Sequence, residues 1–292
     1  MGEAPRALLA PKGLRTWAIA LLFSVLALAA AGLASIAAEA NWKDYVAGVR
    51  AREVQAIESI PPVGERKGRA VIIFGTSLTE AAVQHGDFLP THFPSSIQLV
   101  ILTGQLGERT PIEDLVPVIR RVHPDLVLIE VNLMRLPFVD PPLMRRLRHL
   151  ERAAFSWMWH AGADQDGCIG VVRRKSAKVG NIGEKYQRWN APRRRLQLDR
   201  LPVLLDLQAD GIQVGVLDLP RATELEVAAP NLASSRKTMG AALAEKDITF
   251  WAFPGYWPAD YFCDLSHLDH DGAIVFDKLF SDRLRQALDL SQ

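Results

Sequence analysis

Five short apolar runs recur along the chain: AVIIFG from Ala70, IQLVILTG from Ile97, DLVLIEVN from Asp125, IQVGVLDL from Ile212 and DITFWAF from Asp247. Such runs are too short for core helices and too uniformly apolar for half-exposed strands, so they predict strands buried on both faces. Helix-compatible stretches lie between them: PIEDLVPVIRRV from Pro111, LPVLLDLQADG from Leu201, SSRKTMGAALAEK from Ser234, and a final helix from Gly272 to about Leu288. Strands alternating with helices imply a parallel sheet covered on both sides. The expected fold is therefore α/β, a flavodoxin-like three-layer sandwich with a central parallel sheet of about five strands. Ligands in open sheets of this kind sit beyond the carboxyl ends of the strands. That rule selects Ser77, Gly104, Gly107 and Asn132, each just after a strand run.

The start of the chain obeys a different constraint. Residues 16–38, TWAIALLFSVLALAAAGLASIAA, hold no charged side chain. A helix rising about 1.5 Å per residue crosses a bilayer core of about 30 Å with a stretch this long. Arg6, Lys12 and Arg15 precede the stretch, which favours the cytoplasmic side for residues 1–15 and an extracytoplasmic place for the rest, periplasmic in a Gram-negative cell. A cleaved signal peptide is the rival reading, with small residues at 38–40 offering a cleavage site, although the apolar cores of such signals run only about 7–15 residues. Residues 39–68 are expected to form a stalk closed by Pro61, Pro62, Gly64 and Gly68, and residues 69–292 the folded domain.

Between the third and fourth strands, residues 133–211 form an insertion expected to be mostly helical, too long for an ordinary loop. It gathers Arg173, Arg174, Lys175, Lys178, Lys185, Arg188 and Arg193–Arg195 beside Trp157, Trp159, Tyr186 and Trp189, a mixture suited to anionic glycans, lipid headgroups or a membrane partner protein. The whole chain nevertheless balances 34 basic against 33 acidic residues, which argues against a protein built around nucleic acid. Its cysteines are two, Cys168 and Cys263, enough for neither a disulfide framework nor a Cys-rich zinc module.

Ser77 follows the first strand run within Gly75-Thr76-Ser77-Leu78-Thr79, and a hydroxyl there projects into the crevice. The G-x-S-x-G elbow of α/β-hydrolases would require glycine where Thr79 stands. Near the other end, Asp264 and His267 lie three residues apart, a carboxylate and an imidazole that would orient and supply a base for a serine nucleophile. The same residues also suit a helix cap, or a metal site drawing on His267 and His270.

Taken together, these blocks resemble the SGNH hydrolases, the GDSL-like lipase and esterase superfamily, over residues 70–288. The family's G-D-S block reads Gly75-Thr76-Ser77, with Thr76 in the place of aspartate, and its D-x-x-H block reads Asp264-Leu265-Ser266-His267. Its glycine block falls in LTGQLGERT, with Gly107 preferred and Gly104 the alternative. Its G-x-N-D block reads Glu130-Val131-Asn132-Leu133, which keeps the asparagine and replaces both the glycine and the aspartate. The departures suggest a divergent branch, similar to membrane-anchored SGNH proteins of cell-envelope O-acylation.

The resemblance implies Ser77, Asp264 and His267 as catalytic residues, and Ser77, Gly107 and Asn132 as the oxyanion hole. No cofactor or metal is needed by that chemistry. The implied activity is that of an extracytoplasmic esterase or O-acyltransferase working through an acyl-serine, on O-acetyl or related groups of a polysaccharide. Its partners would be an acyl ester donor, a carbohydrate or water acceptor, the membrane and a membrane-bound O-acyltransferase. The alternative is a catalytically weak glycan-binding or accessory protein of the same fold, motivated by the altered asparagine block.

Overall fold

The computed structural model describes residues 11–83, 97–103, 111–134 and 201–290, with side chains from residue 16 onward. Its elements are helix α1 (Pro11–Glu58), strand β1 (Arg69–Phe74), helix α2 (Ser77–Val83), strand β2 (Ile97–Leu102), helix α3 (Ile112–Val122) and strand β3 (Leu126–Glu130), which runs into a short 3-10 turn (Val131–Met134). Then come helix α4 (Leu201–Ala209), strand β4 (Gln213–Asp218), helices α5 (Thr223–Ala228) and α6 (Pro230–Ala244), strand β5 (Thr249–Ala252), a 3-10 turn (Ala259–Tyr261) and helix α7 (His270–Ala287).

The five strands form one parallel sheet in the order β2-β1-β3-β4-β5. This is the flavodoxin-like order, which departs from β1 in one direction to β2 and in the other to β3. Period-two alternation divides the side chains of the central strands between two cores. Val71, Ile73, Leu126, Leu128 and Leu217 pack on one face with Leu78 and Ala82 of α2 and Phe276, Phe280 and Leu284 of α7. Ile72, Phe74, Val127, Ile129, Val214 and Val216 pack on the other with Leu115 and Ile119 of α3, Leu204 and Leu207 of α4, and Met239 and Leu243 of α6. Every side chain of β3 is buried, as its central position requires.

The four helices expected between and after the strand runs form with shifts of up to four residues at their ends, while the expected helical insertion lies mostly outside the described residues. α7 starts at His270 rather than Gly272, because the Asp269 side chain accepts from the Gly272 backbone N–H at 2.9 Å and caps the first turn. α3 keeps Pro117 within its length and ends at His123, whose φ of 48° turns the chain out of the helix. The seven-residue α2 has no counterpart among the expected elements, since SLTEAAV carries too little periodic pattern to stand out.

The largest difference concerns residues 39–68. Where an irregular stalk was expected, α1 continues to Glu58, and residues 46–68 belong to the same compact unit as the sheet, while residues 1–45 fall in the other unit. Ile57 and Ile60 are fully buried among the α3-side core, with Val54 packed against it, and Glu58 pairs with Arg121 at 2.9 Å. Spacing of three residues puts 54, 57 and 60 along one side of the chain, an apolar stripe that the following Pro61 and Pro62 obscure in the sequence. Within the first unit, the helix from Thr16 has an apolar window of mean hydropathy 2.4, none of it buried, and it is long and apolar enough to cross a membrane.

Candidate active site

β1 and β3 lie side by side, so the segments leaving their carboxyl ends emerge together at the point where the strand order reverses. Ser77 leaves β1 as the first residue of α2, and Thr76 acts as its cap, with its hydroxyl oxygen accepting from the Leu78 backbone N–H at 3.3 Å. Asn132 leaves β3 in the 3-10 turn. The third contribution comes from the loop before α7. Ser77 Oγ lies 3.0 Å from His267 Nε2, although the two residues are 190 apart in sequence. His267 Nδ1 in turn lies 2.9 Å from Asp264 Oδ1.

The loop carrying this pair is held rigidly. Phe262 and Leu268 form an antiparallel bridge, the Cys263 N–H donates to the His267 carbonyl at 2.8 Å, and the Asp269 N–H donates to Tyr261 at 3.0 Å. At its tip Leu265 adopts φ 71°, a left-handed conformation costing a non-glycine residue about 1–3 kcal/mol. That strain is maintained by burial of the Leu265 side chain in the α7-side core, and by the Ala222 N–H donating to its carbonyl at 2.9 Å.

Burial pushes the Asp264 carboxyl up. It is outweighed by the His267 ring and its charge, the His267 backbone N–H at 2.9 Å and the Ser266 hydroxyl at 3.0 Å, which hold the group well below the usual carboxylate range. An ionised Asp264 accepting from Nδ1–H leaves Nε2 as the acceptor, which is the tautomer able to take a proton from Ser77. The His267 and Asp264 side chains are 18% and 14% exposed, so the pair is shielded but still open to the crevice.

Ser77, His267, Asp264 and Asn132 thus gather at one end of the sheet. Gly104 and Gly107 lie outside the described residues, as do Cys168 and the basic and aromatic residues of the insertion. Both ring nitrogens of His267 face protein partners, and His270 opens α7 as an exposed residue rather than joining His267. Among the described residues, no group of three or more His, Cys, Asp or Glu side chains is arranged to hold a metal ion.

No family model matches the chain, and no curated protein matches it. Among solved structures it is similar to one described as an active-site mutant of a family two carbohydrate esterase from Clostridium thermocellum, in complex with celluohexase. The identity is 9% and the TM-score 0.37, over 78% of this chain and 66% of that one, so this chain spans slightly less than two thirds of its neighbour's length. A likeness that distant leaves the site to be argued from its own geometry.

The geometry adds residues that sequence reasoning set aside. Glu130, fully buried at the end of β3, accepts from the Thr76 N–H at 2.6 Å, the Thr76 hydroxyl at 2.7 and 2.8 Å, the Thr79 hydroxyl at 2.6 Å and the Asn132 side-chain amide at 2.7 Å. Thr76 and Glu130, two departures from the expected blocks, are therefore partners. Gly75 belongs with them, because a methyl group there would collide with Thr79 and prevent its hydroxyl from reaching Glu130. A lone carboxylate ending an otherwise apolar strand run was the available signal.

Behind the His267 loop, Asp218 ends β4 and pairs with Arg221 at 3.0 Å, both 1% exposed. Asp218 also meets Arg236, whose guanidinium bonds Glu226 at 2.7 Å. Burial lowers the Arg236 pKa, but the two carboxylates more than compensate and raise it above the ordinary guanidinium value. This network anchors the segment whose next residue, Ala222, bonds Leu265.

Proposed function

We propose that this chain is a membrane-tethered serine esterase or O-acyltransferase of the SGNH type. The observation that carries the reading is the relay from Ser77 Oγ through His267 to Asp264, at 3.0 and 2.9 Å. Ser77 Oγ attacks the ester carbonyl as His267 Nε2 takes its proton, and Asp264 holds the ring and balances the imidazolium. The tetrahedral oxyanion accepts from the Ser77 N–H and the Asn132 amide, with Gly107 as the further donor expected from sequence. One such donor contributes about 2.7–4 kcal/mol to the transition state. His267 then protonates the departing alkoxide, leaving an acyl-Ser77, and deprotonates the acceptor for the second transfer.

Water as acceptor makes the protein an esterase, whereas a bound sugar hydroxyl makes it a transferase. The apolar stretch of α1, about 35 Å long at 1.5 Å per residue over residues 16–38, is long enough for an uncleaved anchor, and Arg6, Lys12 and Arg15 before it favour a catalytic domain outside the cytoplasm. Acyl groups on an envelope or exported polysaccharide are the substrates this location favours, and a membrane-bound O-acyltransferase is the partner it favours.

The full chain in detergent is expected to react with a fluorophosphonate probe, and Ser77→Ala to abolish that reaction. Mass spectrometry after incubation with an acetyl ester, with and without O-deacetylated glycan, separates hydrolysis from transfer. A folded chain that never labels sinks the enzyme reading and favours a glycan-binding role.

A further inference from the structure

We infer that Glu130 is a positioning residue that sets the Asn132 side-chain amide for the oxyanion, and at the same time holds the loop bearing Ser77. The inference rests on the hydrolase reading for its consequence in rate, but its structural half stands on the hydrogen bonds alone.

The two carboxylate oxygens divide the work. Oε2 accepts from the Thr76 N–H and the Thr79 hydroxyl, which flank Ser77 on either side, while Oε1 accepts from Asn132 Nδ2. The Thr76 hydroxyl bridges both oxygens. Each of these partners donates, so the fully buried carboxylate serves purely as an acceptor. A primary amide has two N–H groups in one plane. With one committed to Glu130, the plane and direction of the second are fixed, and Asn132 presents a donor rather than its carbonyl oxygen to whatever lies beyond. An unrestrained asparagine can turn over and exchange the two.

Replacing Glu130 by glutamine makes the consequence specific. The new amide nitrogen must face either the Thr76 N–H or Asn132 Nδ2. The first is main chain and cannot rotate, so the nitrogen faces Asn132, donor against donor. Asn132 relieves that conflict by turning over, which places Oδ1 where its second N–H had pointed. An acceptor then faces the developing oxyanion. Glu130→Gln, nearly unchanged in shape, is therefore expected to remove the Asn132 contribution as completely as Asn132→Ala.

The test uses the full chain in detergent, with p-nitrophenyl acetate as substrate and selective ¹⁵N-asparagine labelling, which leaves five side-chain amides to resolve. Asn132→Ala assigns its own resonance. Glu130→Gln should lower kcat by about 10²–10³ with KM little changed, the loss typical of one oxyanion donor. The Glu130→Gln/Asn132→Ala double variant should be no slower than the slower single variant within about threefold, because both remove one function. The Asn132 amide resonance should shift in Glu130→Gln.

Losses that multiply in the double variant, near wild-type turnover in Glu130→Gln, or an unmoved Asn132 resonance each overturn the inference. If the wild type proves inactive, the hydrolase reading fails by itself and the resonance still decides whether Glu130 orients the amide. Should Glu130→Gln not fold, Thr79→Val removes one donor from Oε2 and none from Oε1. It should slow turnover roughly tenfold, the loss of one hydrogen bond, while leaving the Asn132 resonance in place. An unchanged rate or a moved resonance there contradicts the division between the two oxygens.

Discussion

Gly75→Ala tests whether the serine loop is as tightly determined as its contacts imply. An alanine methyl at this position would lie 2.5 Å from Thr79 Cγ2 and closer still to Thr79 Cβ and Oγ1. Carbon atoms rest about 3.5–4.0 Å apart, so something must retreat by about 1 Å or more. Rotating the Thr79 side chain gives no relief, because Cβ itself is among the colliding atoms. The first turn of α2 has to move, drawing the Thr79 hydroxyl away from Glu130 at 2.6 Å and Ser77 Oγ away from His267 at 3.0 Å. A serine–histidine separation of about 4 Å is no longer a hydrogen bond.

Overpacking of this kind costs about 1–3 kcal/mol of stability, and a 1 Å misplacement of a reacting group about 10² in rate. Urea unfolding and the rate of fluorophosphonate labelling, both on the full chain in detergent, measure the two losses separately. Adding Thr79→Gly to Gly75→Ala removes the colliding Cβ and should restore part of the labelling rate without restoring stability. Unchanged labelling and an unchanged unfolding midpoint in Gly75→Ala would refute the reasoning, since the space would then not be occupied as described.

Two further predictions concern electrostatics around the His267 loop. The Asp264 carboxyl is held below its unfolded value, so its ion contributes stability that is fully present above about pH 4 and fades as pH falls further. The stability gap between wild type and Asp264→Asn, measured by urea unfolding, should therefore be fully open above about pH 4 and narrow towards about pH 3; a gap that grows between about pH 4 and about pH 3 would contradict this. Asp218→Ala leaves the 1% exposed Arg221 without the carboxylate at 3.0 Å, and should destabilise the fold by about 3–5 kcal/mol in the same assay. A loss under about 1 kcal/mol would mean that the pair is effectively solvated.

What could be read from the sequence was what lies contiguously within it. Each strand is a single apolar run, and the Asp264-x-x-His267 pair lies within one turn of chain, so pattern and spacing suffice for them. Ser77 was legible by position, as the hydroxyl at the first strand's end. Glu130 was not, because its meaning depends on Thr76 and Thr79, more than fifty residues upstream, and only the pairing of β1 with β3 brings them together. The burial of Ile57 and Ile60 was equally invisible: their partners belong to α3 and the sheet, while their own neighbours Pro61 and Pro62 signal a break. Leu265 illustrates the same limit in the backbone, since its left-handed conformation is imposed by Ala222 and by packing against local preference.

The distance along the chain between Ser77 and His267 has a consequence for biosynthesis. Ser77 emerges from the ribosome 190 residues before His267, and on the serine-hydrolase reading proposed above it is an ordinary alcohol until β4 and β5 have joined the sheet and the strained turn at Leu265 has docked. Such non-local pairing comes late in folding. On that reading reactivity is tied to completion: a nascent, truncated or partly unfolded chain would carry Ser77 without a group to take its proton, and would acquire one only when the last part of the fold closes over the first.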